Sequence, residues 1–104
     1  MSDIVSVYAI FANADEAERI ARLVVEEKLA ACANILSPCR SIYRWQGAIE
    51  EAEEVPAILK ARADKAAKLV ARIAELHSYE VPAITVWPIG HALAPYEDWV
   101  ENEG

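Results

Sequence analysis

What this chain lacks narrows its chemistry before any motif is weighed. None of its three glycines sits in a G-x-x-x-x-G-K-[ST] loop or a G-x-G-x-x-G turn, no G-x-S-x-G elbow is present, and its two histidines form no H-E-x-x-H pair. Nucleotide cradling and the common hydrolytic chemistries therefore have no support. Basic residues are scarce too: 10 Lys and Arg stand against 17 Asp and Glu, a net charge of −7. That charge repels phosphate backbones and anionic membranes and gathers cations, so neither nucleic acid nor membrane is an expected partner. No apolar run approaches the ~20 residues that span a bilayer, and no basic region at the start leads into an apolar segment of signal length. The expected location is cytoplasmic.

Cysteine is nearly absent. Cys32 and Cys39 are separated by six residues, a spacing that fits neither a zinc knuckle nor a redox C-x-x-C. With no sign of secretion they are expected to be free thiols. Cys32, within Ala30-Ala31-Cys32-Ala33, acts as a small hydrophobe, whereas Cys39 follows Pro38 in an expected loop and is the more accessible.

What is present suffices for one compact domain over residues 1–104: the chain is 55% hydrophobic. Residues 4–11 form a nearly continuous apolar run that predicts a strand buried on both faces. Asn13 and Glu16 offer a capping box, followed by Ala17, Ile20, Ala21 and Val24 at helical spacing to about Lys28. A second strand over 31–35 is interrupted at Ser37-Pro38 and resumes with Ser41, Tyr43 and Trp45 in alternation, one long bent strand. Gln46-Gly47 supplies a turn, and residues 49–62 return as the other arm of a hairpin, whose acidic cluster Glu50, Glu51, Glu53 and Glu54 is expected to be solvated. Asp64 is the expected cap of a helix with Ala66, Leu69, Val70, Ile73, Ala74 and His77 on its apolar face. Residues 81–89 predict a last strand punctuated by Pro82 and Pro88, and a short helix over about 95–100 docks Tyr96, Trp99 and Val100.

The order β-α-β-β-α-β plus a terminal helix predicts an α+β, ferredoxin-like sandwich: an antiparallel sheet with both helices on one face. Right-handed crossovers place the first and third strands centrally and leave the second and fourth as edges. Little lysine blunts those edges, so pairing between subunits, a homo-oligomer, is expected.

Three segments then carry a resemblance: Lys28-Leu29-Ala30-Ala31-Cys32-Ala33-Asn34-Ile35, Ser41-Ile42-Tyr43-Arg44-Trp45-Gln46-Gly47 and Leu76-His77-Ser78-Tyr79-Glu80-Val81-Pro82. With Ile58-Leu59-Lys60 and Tyr96-Glu97-Asp98-Trp99, they make the whole chain similar to the CutA divalent-cation tolerance family. The resemblance implies a ferredoxin-like protomer in a tight homotrimer, associated with tolerance to divalent metals including copper, with no established enzymatic reaction. Four positions depart from the family pattern: Ser78 in place of proline, Ala61 in place of threonine, Ala83 in place of an acid and Pro56 in place of an aliphatic strand residue. Pro56 lacks a backbone donor, so in an interior strand it belongs at a bulge, at the margin, or with its nitrogen facing no partner.

Candidate site residues follow from chemistry. His77 is either a satisfied helix-terminal residue or an imidazole ligand for Cu(II) or Zn(II), with Cys39 a further candidate ligand; one imidazole is far short of the three or four ligands of a dedicated site. Tyr43, Trp45 and Tyr79 are either interface anchors or the wall of an inter-subunit cleft. Glu80 and Lys60 are the charged candidates for that cleft, as a buried pair or an anion holder. His91, beside Gly90, is a loop residue. The favoured expectation is a non-enzymatic homotrimer that binds a divalent cation weakly, with no obligatory cofactor. The alternatives are a small-ligand binder or enzyme using an inter-subunit cleft, and a regulatory interaction module.

Overall fold

The computed structural model describes residues 2–104 of the chain. Its elements are β1 (Ile4–Phe11), α1 (Ala14–Glu26), β2 (Cys32–Ile35), β3 (Cys39–Trp45), β4 (Ala48–Arg62), a 3-10 turn over Ala63–Lys65, α2 (Ala66–Leu76), β5 (Ile84–Pro88) and α3 (Ala94–Glu103). The strands form one antiparallel sheet in the order β2-β4-β1-β5, with β3 also paired to β4. The first strand and the returning hairpin arm are central, as the crossover argument requires.

Alternation decides which face is covered. Val5, Val7, Ala9 and Phe11 of β1 and Val55, Ala57, Leu59 and Ala61 of β4 join Ala17, Ile20 and Val24 of α1 and Leu69 and Ile73 of α2 in the main core. Both helices thus lie on one face, and each large aliphatic or aromatic side chain buried there contributes about 1.5–3 kcal/mol. Arg72 of α2 clamps Glu27, just past α1, through Nε at 2.9 Å and Nη2 at 2.8 Å. The other face, carrying Tyr8, Ile10, Ile58 and Trp87, has no helix over it; Tyr8 and Trp87 stack there at 4.8 Å. Val100 of α3 packs with Ile4 and Ala31 in a small second cluster.

Several expectations about local structure are corrected. The long bent second strand is two strands, β2 and β3, which pair with different stretches of β4: the first ladder ends at Ile35↔Ala57 and the next begins at Cys39↔Glu54. Pro56 sits in the gap between them. Its carbonyl accepts a 2.9 Å bond from the Leu36 N–H, and in an extended residue the nitrogen faces the same way, so the missing donor lies where β4 has no ladder partner on that side. Asn13 caps α1 by accepting from Glu16 N–H at 2.9 Å, but Asp64 does not cap α2: it lies in the 3-10 turn and pairs with Arg62 at 2.7 Å. Ala74 is exposed, and β5 begins at Ile84, three residues later than its apolar run. Tyr96 and Trp99 stack on each other at 5.9 Å and stay more than a third exposed, so Val100 alone of the three is fully buried, while the Tyr96 hydroxyl reaches Cys32 of β2 at 3.6 Å.

The β3–β4 hairpin closes through Gln46 (φ 50°) and Gly47 (φ 84°). Two central residues at positive φ are the mark of a type I′ turn, whose twist matches that of the strands it joins. No helix among the described residues is long and apolar enough to cross a membrane.

Candidate functional site

The end of α2 positions the first group. His77 donates its N–H to Ile73 as the helix's last bond, then turns extended (φ −72°, ψ 146°), so the chain leaves the helix and crosses the end of the sheet. Its ring has no solvent exposure and packs between Phe11, at 5.3 Å, and Tyr79, at 4.8 Å. Nε2 lies 2.7 Å from the Ile10 carbonyl oxygen, which can only accept, so Nε2 carries the proton; Nδ1 accepts the Tyr79 N–H at 3.0 Å. One neutral tautomer satisfies both contacts. With both nitrogens engaged, neither is open to a metal in this conformation.

Glu16 supports the same junction from α1. Its carboxylate accepts the Ala12 N–H at 3.0 Å and the Ser78 N–H at 2.9 Å. Burial pushes the carboxyl up, but the hydrogen bonds from Ser78 and Ala12 outweigh it and hold the group below its ordinary value of 4.5. Ser78, one of the departures from the family pattern, thus supplies an N–H that a proline could not. Ala61, another, is fully buried in the core, where a threonine hydroxyl would need a partner.

Tyr79 carries the junction round to the uncovered face. Its hydroxyl donates to Glu54 Oε2 at 2.7 Å, and burial, with that bond, pushes the phenol well above its usual range. Glu50, Glu51 and Glu53 are exposed as expected of a hairpin edge, but Glu54 is only 8% exposed, a correction to the solvated reading of the cluster. Alternation explains it: Glu54 shares its face with Pro56 and Ile58, where the strand is already becoming buried.

Around this pair opens a cleft of about 500 Å³. Tyr43 and Trp45 of β3, Tyr79 and Glu80 of the junction, Glu54 of β4 and Ile10 of β1 line it. Four of the five expected cleft residues are therefore brought together. Lys60 is not among them: it lies six positions beyond Glu54 on β4, about 20 Å away, and pairs with Cys32 and Ser6 in the ladders. Sequence reasoning missed Glu54 as a cleft residue; the signal was its phase on the strand. Ala83, where the family pattern has an acid, also lines the cleft, and its carbonyl accepts the Ile10 N–H at 3.1 Å.

The candidate thiol Cys39 is half-buried, lies 3.8 Å from Ser41 Oγ and faces Glu54 across the ladder. Cys32 lies 3.6 Å from the Tyr96 hydroxyl, whose pKa burial and this contact push up to about 12. His91 is exposed in the connection after β5. No three His, Cys, Asp or Glu side chains converge as a metal set among the described residues. Chemically, the arrangement can hold and orient a ligand against aromatic rings and a carboxylate.

The family model described as CutA1 divalent ion tolerance protein matches residues 5–103. The divalent-cation tolerance protein CutA of Archaeoglobus fulgidus is 40% identical over 96 residues, covering 92% of this chain and 93% of the relative; that of Thermus thermophilus is 44% identical over 89 residues, covering 85% and 86%. Among solved structures, CutA from Xylella fastidiosa superposes with a TM-score of 0.95 at 32% identity, covering 98% of each chain. The structure described as the periplasmic divalent cation tolerance protein CutA from Archaeoglobus fulgidus does so with 0.93 at 38% identity, covering 96% and 97%.

Proposed function

This chain belongs to the CutA1 divalent ion tolerance family, and on that premise we propose that it serves divalent-cation tolerance, copper included, as a non-enzymatic homotrimer that binds the cation weakly. The observation that carries the oligomer is the apolar surface left open. Ile42, Tyr43, Trp45 and Ile49 on the hairpin, with Trp87 on the bare sheet face, are all more than a third exposed. Apolar surface on that scale, beside two unprotected sheet edges, calls for burial against other copies.

Weak cation binding rests on the net charge of −7 and on the absence of a convergent ligand set among the described residues. A tighter site draws ligands from more than one subunit, with Cys39 the candidate soft donor; His77 could join only by giving up its bond to Ile10 or to Tyr79. A non-enzymatic role is supported by Tyr79 and Glu54 being tied to one another and by His77 having no free nitrogen. We place the protein in the cytoplasm on its two free thiols, beside a relative whose structure is described as periplasmic; cell fractionation distinguishes the two.

Calorimetry with Cu(II) on the wild type, His77→Ala and Cys39→Ser, together with mass by light scattering, tests this reading. Binding is expected to weaken most in Cys39→Ser and to change by no more than about twofold in His77→Ala, less than one charge-assisted contact is worth. A monomeric mass, or no Cu(II) binding at all, would overturn it. The cleft favours a second reading, that of a small-ligand-binding protein.

A further inference from the structure

We propose that the cleft at the hairpin base is a socket between copies of this chain, in which Lys60 of the neighbouring copy pairs with the buried carboxylate of Glu54. The inference rests on the homotrimer reading above and names the residues that such an assembly brings together. Glu54 is more than nine-tenths buried, yet only Oε2 is partnered, by the Tyr79 hydroxyl; no described residue gives Oε1 a hydrogen bond or an ion pair. Glu80, the other carboxylate of the cleft, is exposed. Lys60 presents the opposite case. It is half-buried between Cys32 and Ser6 in the ladders, and none of the ion pairs among the described residues includes it.

Alternation puts both groups on one surface. Val55, Ala57, Leu59 and Ala61 face the core, so Glu54, Ile58 and Lys60 face the other side of the sheet, with Tyr8, Ile10 and Trp87. That side is the one the trimer covers, so assembly takes both charges out of water. A carboxylate or an ammonium buried alone is costly, and the two buried as a hydrogen-bonded pair offset one another. Within one chain they cannot meet, because six positions of β4 hold them about 20 Å apart, beyond the reach of a lysine side chain. The neighbouring cations are placed elsewhere. Arg62 is held by Asp64 and Arg40 by Glu51, and alternation turns Arg40 and Arg44 to the side of the hairpin away from Tyr43 and Trp45. Lys60 of a second copy is therefore the cation this face can offer Glu54. A cyclic trimer makes the contact heterologous, Lys60 of each copy against Glu54 of the next, and its repetition at every interface gives the ring one direction. Tyr79 holds Oε2 and leaves Oε1 for the incoming ammonium, which makes it a positioning residue.

The test is a dilution series of the intact purified protein, followed by sedimentation velocity, with circular dichroism as the check of folding. Glu54→Lys and Lys60→Glu each set like charges against one another and are expected to shift the mass from trimer to monomer, whereas the double exchange is expected to restore the trimer. Since the two positions lie about 20 Å apart in one chain, restoration reports a contact between chains. Neutral variants keep the proposal decidable where a reversed charge upsets folding. Lys60→Met, and Glu54→Gln with its retained acceptor for Tyr79, are each expected to raise the half-dissociation concentration about tenfold or more. The double neutral variant is expected to assemble at least as tightly as either one, because no buried charge is then left without a partner. A trimer that survives both charge reversals, a double exchange that is folded but monomeric, or additive losses in the neutral pair would overturn this inference and leave the homotrimer reading standing. A monomeric wild type would overturn both.

Discussion

The two halves of β4 make the sharpest contrast in the molecule. Its C-terminal half, from Val55 to Ala61, alternates in the main core and pairs with both β1 and β2. Its N-terminal half, from Ala48 to Glu53, pairs only with β3 and is exposed apart from the half-buried Ala52. The same strand thus serves two ends: one half is stabilised within the chain, while the other presents apolar side chains that a single chain leaves uncovered. Glu54 and Pro56 mark the boundary, and the cleft sits there.

The largest expected effect breaks the inner half. Leu59 is fully buried, and Leu59→Ala should cost about 2–5 kcal/mol in chemical denaturation; a loss under 1 kcal/mol would mean that the inner half is not the stabilising one. Next comes the junction that holds the boundary in place. Glu16→Gln removes a charged acceptor from two backbone donors and should cost about 1–3 kcal/mol at neutral pH. The sign with pH follows from linkage. The folded-state carboxyl is held below 4.5, so its contribution is present above that pH and is lost as pH falls through the folded value. Wild-type stability should therefore drop on acidification below about pH 4.5 more steeply than that of Glu16→Gln, and parallel profiles would remove Glu16 as the cause.

At the boundary itself, Pro56→Ala should destabilise by less than about 1 kcal/mol, mainly by freeing the unfolded chain, since no ladder bond is waiting for the restored N–H. A gain in stability would mean that the gap can close into a continuous ladder. The smallest effect belongs to the outer half. Ile49 is 61% exposed, and Ile49→Ala should leave the unfolding free energy of a monomeric form within about 0.5 kcal/mol while lowering the assembled mass in light scattering. A large loss in the monomer would erase the contrast between the halves.

Much of this was legible in the chain because it depends on near neighbours. The Asn13 cap, the alternation of β1 and the turn at Gln46-Gly47 are each set within a few residues, and the strand order followed from the element order. His77 completed the apolar phase of α2 and is indeed buried, although it stands just outside the helix. The Glu54 burial was not legible, because it depends on Tyr79, which lies in a different connection and arrives from across the sheet. Asp64 failed as a cap for a local reason. Arg62, two residues before it, offered a stronger charged partner than an exposed helix terminus does. Lys60 failed as a cleft residue because closeness to the end of a predicted strand says nothing about which stretch of that strand the junction crosses.

The two-residue turn at Gln46-Gly47 also has a consequence in time. Trp45 and Ala48 meet across it, whereas Val7 must find Leu59. Local hairpins close in about 1–10 μs, while pairings between distant segments dominate the slow steps of sheet formation. The half of β4 with the least burial is therefore expected to find its partner first, and the half that stabilises the fold to find its own last. Trp45 should report the early event in temperature-jump fluorescence, and Trp87, stacked on Tyr8 across β1 and β5, the late one; simultaneous signals would show that the hairpin waits for the core.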